Sequence, residues 1–245
     1  MQSHMRRAAA AGRATEQIGP FLATYSPDST SPFLNYAIPD DGARPSASDV
    51  DGLVAAYQRR ELLPRVEFLV DTAPEAEVAL LAAGWSVERR IPVMLCPPGS
   101  AVMPPAPAGI ELVVPKSDEE VLGMVNAQHE AFNAPAASEA DAAKSRERIL
   151  AGGFAVLARD TVTGAAAGGG VAEAVVDGTS EVAGIGVRVA FRRRGIGAAI
   201  TAFLTAAVHE AGGRTVFLTP AGVPEQRIYA RVGYVPAGDM VHLSR

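Results

Sequence analysis

The sequence predicts an α/β fold with a mixed, mostly antiparallel central sheet flanked by helices, preceded by a smaller N-terminal α/β unit. The first observation is the order of strand-like and helix-like apolar patterns after residue 108, which is β-α-α-β-β-β-α-β-α-β. The second is that a run of antiparallel strands followed by a β-α-β element gives a sheet with helices on both sides. The third is a proline-rich segment that divides the chain into two parts.

The proline-rich segment lies at residues 97–109. It holds too many prolines for a helix or a central strand, and its composition is typical of a semi-rigid linker. We therefore predict two domains. Residues 1–105 form the N-terminal unit with the linker, and residues 106–245 form the second domain.

A short strand and two helices open the second domain. The strand is predicted at Ile110–Val114. Ser117, with Glu120 three residues on, fits a capping box that starts the first helix. That helix ends at Phe132–Pro135, and the second helix follows at Ala137–Leu150.

Three further strands and a β-α-β element complete the domain. Asp177-Gly178 is typical of a hairpin turn between two strands. Gly212-Gly213 ends the helix that begins at Gly195. We predict strands at Phe154–Ala158, Ala165–Val176, Ser180–Val189, Thr215–Thr219 and from Tyr234 onward, and helices at Gly195–Ala211 and Pro224–Val232.

The segment Phe191–Ala198 joins a strand to a helix and holds three arginines and two glycines. Backbone N–H groups at a helix N-terminus lack partners, and the helix dipole adds partial positive charge there. Glycine lets a ligand approach the backbone, and arginine supplies charge and a fork of donors. The segment therefore predicts a site for a phosphate-bearing ligand. The alternative is a basic turn whose glycines serve only tight packing.

The pattern Arg192-x-x-Gly195-x-Gly197 resembles the acyl-CoA pyrophosphate loop of the GNAT (GCN5-related N-acetyltransferase) superfamily. The predicted order of elements is also that of the GNAT fold. The resemblance implies acetyl-CoA as co-substrate, with pantetheine on the strand before the loop and the pyrophosphate on the loop amides. The residues that it implies are Ile185, Gly186 and Val187 for pantetheine, and Arg192, Arg193, Arg194, Gly195, Ile196, Gly197 and Ala198 for the loop.

Two other phosphate-binding motifs do not fit this loop. A P-loop would require a Gly-Lys-Ser/Thr sequence, which does not follow here. The dinucleotide fingerprint would require a third glycine, which is missing.

Tyr229 lies 32 residues after Gly197, in a segment that looks like the family's YxxxGF motif. The resemblance implies that its hydroxyl lies near the thioester sulphur and acts as general acid, which suits a phenol with a pKa of about 10. The alternative is a tyrosine that only packs the last helix against the sheet. One departure is Gly222, where many family members carry an asparagine, so the contact of that asparagine is not predicted here.

No motif singles out the general base. Glu181, at the start of the strand before the loop, is taken with Tyr229 as a catalytic candidate. Glu173 on the preceding strand and Glu130 beside His129 are open alternatives, as is a chain of waters. Each glutamate has a second interpretation, as an exposed carboxylate at the end of a strand or helix.

The run Gly168-Gly169-Gly170 lies inside a predicted strand. Glycine weakens a strand unless another part of the molecule or a ligand approaches closely. Close packing of a helix is one explanation for this run, and room for an acceptor substrate is the other.

The N-terminal half contains a partial repeat of the last β-α-β element. Arg65–Asp71 corresponds to Arg214–Pro220, and each is followed by a Pro-Glu helix start and then by glycine with an aromatic residue. We interpret this half as a degenerate GNAT-like unit without the cofactor loop or the acid, since Leu80 stands at the position that matches Tyr229. A generic β-α-β element without duplication is the alternative.

Composition and charge narrow the function classes. The chain is 48% hydrophobic with a net charge of −5, which favours a globular protein and argues against nucleic-acid binding. No apolar run is long enough for a membrane span, and no signal peptide is evident. Cys96 is the one cysteine and the four histidines are far apart, so neither a disulfide nor a metal is expected. A cytoplasmic protein is the default expectation.

Together these features predict an acetyl-CoA-dependent N-acetyltransferase that acts on a primary amine of a small molecule or protein. The alternative is a non-catalytic acyl-CoA-binding or regulatory module. A third interpretation makes the N-terminal half a surface that binds another protein. The acceptor and the acyl length have no signature in the sequence. Dimers are common in the resembled family, so a homodimer is compatible with it.

Overall fold

A computed structural model describes residues 1–245 and confirms the mixed α/β fold, with helices against a mostly antiparallel sheet. Contacts divide the chain into two compact units. One comprises Met1–Val93 with Ala237–Arg245, and the other comprises Met94–Pro236. In this division residues 94–105 belong with the C-terminal unit and residues 237–245 belong with the N-terminal unit. No helix of the structure combines the length and the apolarity that crossing a bilayer requires.

The N-terminal unit is built on strands that pair mainly antiparallel. β1 pairs with β2, β2 with β3, and β4 with the final strand β11, all antiparallel, while β3 and β4 are parallel. The elements are α1 at Gln2–Ala10, β1 at Ala14–Ile18, β2 at Phe21–Tyr25, β3 at Ala37–Pro39, α2 at Ala47–Gln58, β4 at Arg65–Leu69, α3 at Pro74–Ala82, β5 at Ser86–Cys96, whose last three residues lie in the other unit, and β11 at Val235–Ser244.

A buried arginine stands at the junction of β4 and β11. The side chain of Arg65 has no exposed surface, and it donates to Glu88 (2.9 Å), to Glu67 and to His242 Nδ1 (2.7 Å). Because a guanidinium can only donate, Nδ1 of His242 is the acceptor and its proton is on Nε2. Burial, followed by the positive charge of Arg65, lowers the pKa of His242 to about 4.

The chain after residue 108 has the predicted order of elements, and all of them except most of β11 belong to the C-terminal unit. Strand β10 pairs in parallel with β9 and antiparallel with residues 94–96 of β5, and β9, β8, β7 and β6 follow as antiparallel neighbours. The elements are β6 at Ile110–Val113, α4 at Asp118–Ala131, α5 at Glu139–Leu150, β7 at Phe154–Asp160, β8 at Ala166–Ala172, β9 at Thr179–Val187, α6 at Ile196–Glu210, β10 at Thr215–Leu218 and α7 at Val223–Val232.

Local sequence signals fix several of these boundaries. Ser117 and Glu120 form the predicted capping box of α4. Asp177 and Gly178 both have left-handed backbone conformations (φ +51° and +72°), which suits the tight hairpin that the sequence predicts there. The strand expected to run to residue 176 is shorter, because β8 ends at Ala172.

Helices cover the two faces of β7, β8 and β9 in the C-terminal unit. Alternate residues of β7 point to opposite sides, so that Val156 and Ala158 pack in the cluster of α6, while Ala155 and Leu157 pack in the cluster of α4. The α6 cluster is the larger, and it also contains Tyr229 of α7. A fully buried aliphatic side chain contributes about 1.5–3 kcal/mol, so these two layers hold the strands of the candidate site in place.

The predicted repeat has the same local structure in both copies. Strand β4, helix α3 and strand β5 match strand β10, helix α7 and strand β11. Gly84 and Gly233 end the two helices with φ of +80° and +103°, which glycine adopts without a steric penalty. At the matching positions inside the helices Leu80 is fully buried and Tyr229 is nearly so.

The proline-rich segment 97–109 contains no helix or strand, but it is attached to the C-terminal unit. Val102 N–H donates to the carbonyl of Val232, at the end of α7, over 2.9 Å. The Arg194 guanidinium donates to the carbonyl of Ala108 over 2.7 Å. The segment therefore runs from the end of α7 to the arginine-glycine loop.

Candidate active site

The parallel strands β9 and β10 separate after a short stretch of pairing. Three residue pairs connect them, and the last is Glu181 with Phe217. Beyond this pair β9 continues to Val187, whereas β10 ends at Leu218. The edge of β9 at residues 182–187 therefore has no neighbouring strand on the β10 side, which leaves an opening in the sheet.

A β-bulge shapes the part of β9 that borders this opening. Gly169 of β8 is opposite Gly186, and Val171 is opposite Ala183, so two residues of β9 stand opposite the single residue Gly170. Gly184 is one of these two and has a φ of +62°. The bulge places Val182, Ile185 and Val187 together in the α6 cluster, although their spacing is not that of a regular strand.

The direction of the backbone bonds shows which groups of β9 face the opening. Arg188 N–H donates to Ala167 of β8, and bonding direction alternates along an antiparallel strand. The backbone N–H and C=O of Gly186 therefore point to β8. Those of Ile185 and Val187 point to the opening. The Val187 carbonyl is already bonded, because it accepts from Arg192 Nε over 3.0 Å. The groups of this edge that remain for a ligand are therefore the N–H and C=O of Ile185 and the N–H of Val187.

The N-terminus of α6 follows this strand and has no side-chain cap. Gly195 is its N-cap residue with φ of +83°, and the first turn contains no acidic residue. The first bond of the helix runs from Ala199 N–H to the Gly195 carbonyl, which leaves the preceding N–H groups without a helical partner. Helices α2, α4 and α5 instead have serine caps and acidic first turns. The start of α6 therefore keeps its positive end available for an anion.

The three arginines of the loop have different surroundings. Arg192 donates to the carbonyls of Val187 (3.0 Å) and Ala131 (3.1 Å), and Arg194 donates to Ala108. Arg193 is exposed and has a φ of +64°. All three side chains are exposed, but Arg192 and Arg194 hold the loop in place, whereas the Arg193 side chain makes no hydrogen bond.

The loop glycines leave space beside the backbone. A Cβ atom added at Gly195 would meet nothing within 4 Å, and one at Gly197 would meet only the side chain of Val187, at 3.9 Å. The open space, the unpaired N–H groups and the exposed Arg193 fit a pyrophosphate that lies against the start of α6.

Tyr229 of α7 packs in the apolar cluster that also contains residues of β9, and the Tyr234 ring lies beside the Tyr229 ring. Tyr229 belongs to the same apolar cluster as Ile185, Val187 and Ala198. Burial, followed by the charge of Glu225, raises the pKa of Tyr229 to about 12. Its hydroxyl is therefore protonated at any physiological pH and is a proton donor rather than a base.

The candidate bases take three different positions. Glu181 is in the last residue pair before β9 and β10 separate, and its carbonyl accepts from the N–H of Glu173 over 2.9 Å. These two glutamates are cross-strand neighbours, so their side chains share one face. Glu130, at the end of α4, is paired with Arg188 at 3.4 Å. Of these three glutamates, Glu181 is the one at the point where β9 and β10 separate.

The structure explains the glycine run and shows a contact that the sequence did not suggest. A Cβ at Gly169 would overlap Met124 of α4, and a Cβ at Gly170 would lie 2.7 Å from Ile200 of α6, so close helix packing accounts for both glycines. Gln128 of α4 donates to the carbonyl of Gly184 over 2.7 Å. Gly184, a glycine inside an apolar strand, is the sequence signal from which a bulge could have been predicted there.

The second half of the chain matches a known protein family. Residues 106–234 match the model of the Acetyltransferase (GNAT) family. A search of curated proteins found no match.

Similar solved structures cover both units of the chain. A GCN5-related N-acetyltransferase from Kribbella flavida has a TM-score of 0.83 and 29% identity, with 99% of this chain and 93% of that chain covered. A GCN5-related N-acetyltransferase from Sphaerobacter thermophilus has a TM-score of 0.67 and 18% identity, over 93% and 80%. A tandem GNAT protein from the clavulanic acid biosynthesis pathway has a TM-score of 0.68 and 16% identity, over 92% and 78%.

Proposed function

Because the chain belongs to the GNAT family of acetyltransferases, we propose that it is an acetyl-CoA-dependent N-acetyltransferase acting on a primary amine. The acceptor amine is carried by a small molecule or a protein. The observation that carries the proposal is the opening between β9 and β10, which lies directly before the uncapped start of α6. An extended ligand with an anionic end fits this arrangement, because it can pair with a strand edge and end on helix amides.

The chain offers contacts for both parts of acetyl-CoA. The backbone N–H and C=O of Ile185 would pair with the pantetheine amides, since this edge of β9 has no neighbouring strand. Gly186 would contribute by bonding β9 to β8, which fixes the position of the strand. Val187 would contribute its backbone N–H as a further donor to pantetheine. The amides from Arg193 to Ala198, with the Arg193 guanidinium, would hold the pyrophosphate. Bound acetyl-CoA supplies the acyl group as an activated thioester.

Tyr229 would supply the proton that the departing sulphur needs. Its raised pKa keeps the phenol protonated, and its hydroxyl is not held by another side chain. General acid catalysis by a positioned side chain is worth about 10²- to 10⁴-fold in rate. The acid would therefore account for a measurable share of the acceleration.

Glu181 would accept the proton of the attacking amine, directly or through water. Alternation along β9 places the Glu181 side chain on the face opposite Val182, which packs in the cluster of Tyr229. The proposed base and the proposed acid would thus lie on opposite faces of the sheet. An amine that arrives on one face can then be deprotonated without contact with the acid on the other face.

The N-terminal unit, residues 1–105 in our domain division, would be a degenerate GNAT-like unit ahead of the catalytic domain at 106–245. Its β4-α3-β5 element repeats the local structure of β10-α7-β11. It has Leu80 in place of the catalytic tyrosine, so it would contribute no acid. The similarity of the whole chain to a tandem GNAT protein supports this interpretation.

Isothermal titration of acetyl-CoA into the purified chain tests the proposal. Arg193→Glu is the variant of choice, because Arg193 is exposed and does not hold the loop, whereas Arg194 also bonds Ala108. Lys144→Glu, an exposed change of equal charge on α5, is the matched control. We expect micromolar binding that Arg193→Glu weakens at least tenfold and that the control preserves. Absence of binding to the unaltered chain would refute the proposal.

Release of CoA in the presence of an amine panel then tests catalysis. Turnover with any amine supports the transferase, and the product identifies the acceptor class. Binding of acetyl-CoA without turnover across small amines and lysine peptides would favour the non-catalytic acyl-CoA-binding module instead.

A further inference from the structure

The last turn of α4 contacts β9 at the bulge. Gln128 Nε2 donates to the carbonyl of Gly184 over 2.7 Å, across 56 residues of sequence. Gly184 is in the left-handed region, so this carbonyl does not follow the regular ladder between β8 and β9. The Gln128 amide is therefore the partner of a backbone group that the bulge takes out of the sheet.

The packing at this contact leaves little room for an alternative arrangement. A Cβ at Gly186 would lie 2.9 Å from Gln128 Cα and 3.0 Å from the Ala131 side chain. A Cβ at Gly184 would lie 2.8 Å from Gln128 Nε2. Helix α4 thus lies directly on the backbone of β9, and the Gln128 side chain fills the space beside the bulge.

The last turn of α4 is also bonded to the C-terminal end of β9, through Arg192. Arg192 donates to the carbonyls of Val187 and Ala131, which joins the end of β9 to the end of α4. Residues 184–187 are therefore held between two side chains, Gln128 and Arg192. If the bulge slipped by one residue, Ile185 would turn from the α6 face to the α4 face, and its backbone groups would turn away from the opening.

We propose that Gln128 is a positioning residue, which holds the bulge at Gly184 and so presents the backbone of Ile185 to the pantetheine half of CoA. The inference rests on the proposed function, since it concerns the same opening. Gln128 acts through Gly184 rather than on the reacting atoms. Its effect should therefore appear in the affinity for the part of CoA that runs along β9, and not in the affinity for the part that lies on the start of α6.

Two ligands separate these two parts. Acetyl-CoA uses both the strand edge and the loop, whereas 3′-phospho-ADP, the nucleotide part of CoA, uses only the loop. Gln128→Met keeps the length of the side chain and removes the donor. We expect it to weaken acetyl-CoA binding about five- to tenfold, as loss of one hydrogen bond does, and to change 3′-phospho-ADP binding less than about twofold.

Asn126→Leu is the matched control on the same helix. The Asn126 side chain accepts from Ala137 N–H over 2.9 Å, so the variant also loses one partly buried bond of α4, but none to β9. It should leave the ratio of the two affinities unchanged. Gln128→Asn, which is one methylene too short to reach Gly184, provides a second test if the methionine variant does not fold.

The outcomes are distinct. Selective loss of acetyl-CoA affinity in the Gln128 variants supports the positioning role. Equal loss of affinity for both ligands indicates a general structural role. Unchanged affinity for both ligands shows that the bond has no influence on binding. Either result overturns the inference. An unaltered chain that binds neither ligand would instead refute the proposed function.

Discussion

The rings of Tyr229 and Tyr234 lie 6.2 Å apart and are tilted by 55°, yet their hydroxyl groups have different surroundings. The Tyr234 hydroxyl is bonded to Thr205 Oγ1 over 2.7 Å inside the core. The Tyr229 hydroxyl has no such partner, and its pKa is raised by burial and by Glu225 alone. One tyrosine thus has a structural bond, while its neighbour keeps a hydroxyl available for chemistry.

Tyr229→Phe should lower kcat by about 10²-fold and leave acetyl-CoA affinity unchanged, because the variant removes only the proposed proton donor. Unfolding stability should stay within about 0.5 kcal/mol, since the hydroxyl makes no side-chain bond. Steady-state kinetics, calorimetry and urea unfolding check the three expectations. Tyr234→Phe is the control, which should lose about 1 kcal/mol of stability with the bond to Thr205. Full activity of Tyr229→Phe would remove this residue from the mechanism.

His242 should make the chain less stable as the pH falls from about 6.5 towards 4. The folded state keeps His242 neutral with a pKa of about 4, whereas the unfolded chain takes up a proton near 6.5. The unfolded state therefore binds more protons in this window, and stability falls by roughly 3 kcal/mol across it. Urea unfolding at several pH values measures the slope.

His242→Gln should reduce that slope. The amide oxygen can accept the bond from Arg65, and the side chain does not titrate. Glu67 is present in both the unaltered chain and the His242→Gln variant. The difference between their curves of unfolding free energy against pH therefore reports the titration of His242. Identical slopes would show that another group controls the acid sensitivity.

Gly222→Ser should stabilise the chain by about 0.2–0.5 kcal/mol by adding the cap that α7 lacks, a small gain because glycine is itself a tolerated N-cap residue. Gly222 has an extended backbone, which any residue adopts. A Cβ there would make ordinary contacts, at 3.5 Å from Glu225 and 3.7 Å from Pro224. Gly222→Ala provides the comparison without a cap. Equal thermal midpoints for the serine and alanine variants would show that no cap bond forms.

Gly169→Ala should destabilise the chain by about 1–3 kcal/mol, because its Cβ would overlap Met124. The cost of Gly169→Ala should be smaller when it is measured in a Met124→Ala background, since the overlap is with a side chain, although Met124→Ala itself destabilises the core. Gly168→Ala meets the backbone carbonyl of Gly186 at 2.6 Å, so no single truncation should rescue it. Denaturant unfolding of the three variants and the double variant measures this difference.

The features predicted from the sequence depend mostly on neighbouring residues. The capping box of Ser117 and Glu120, the turn at Asp177-Gly178 and the start of α6 after Gly195 each require only a few adjacent residues. Their chemistry is local, so the pattern of residue types is enough to place them.

The opening between β9 and β10 has no local signal of this kind, because it depends on contacts between distant segments. The two strands part after Glu181, β9 carries its bulge at Gly184 along the opening, and the bulge is bonded by Gln128, 56 residues earlier. The same holds for Arg194, which bonds Ala108 across 86 residues. Such partners follow from the packing of segments that are distant in sequence, and no single stretch of sequence contains that information.

Gly233 links the end of α7 to a distant part of the chain. A Cβ at this position would overlap the carbonyl of Ser100, in addition to the left-handed φ of +103°. Asparagine, which often replaces glycine at helix ends, is therefore excluded here by a neighbour rather than by its own backbone. In an alignment of related chains, a side chain at this position should occur only where the proline-rich segment 97–109 takes another path. One column of such an alignment would thus report the route of a segment more than a hundred residues away in sequence.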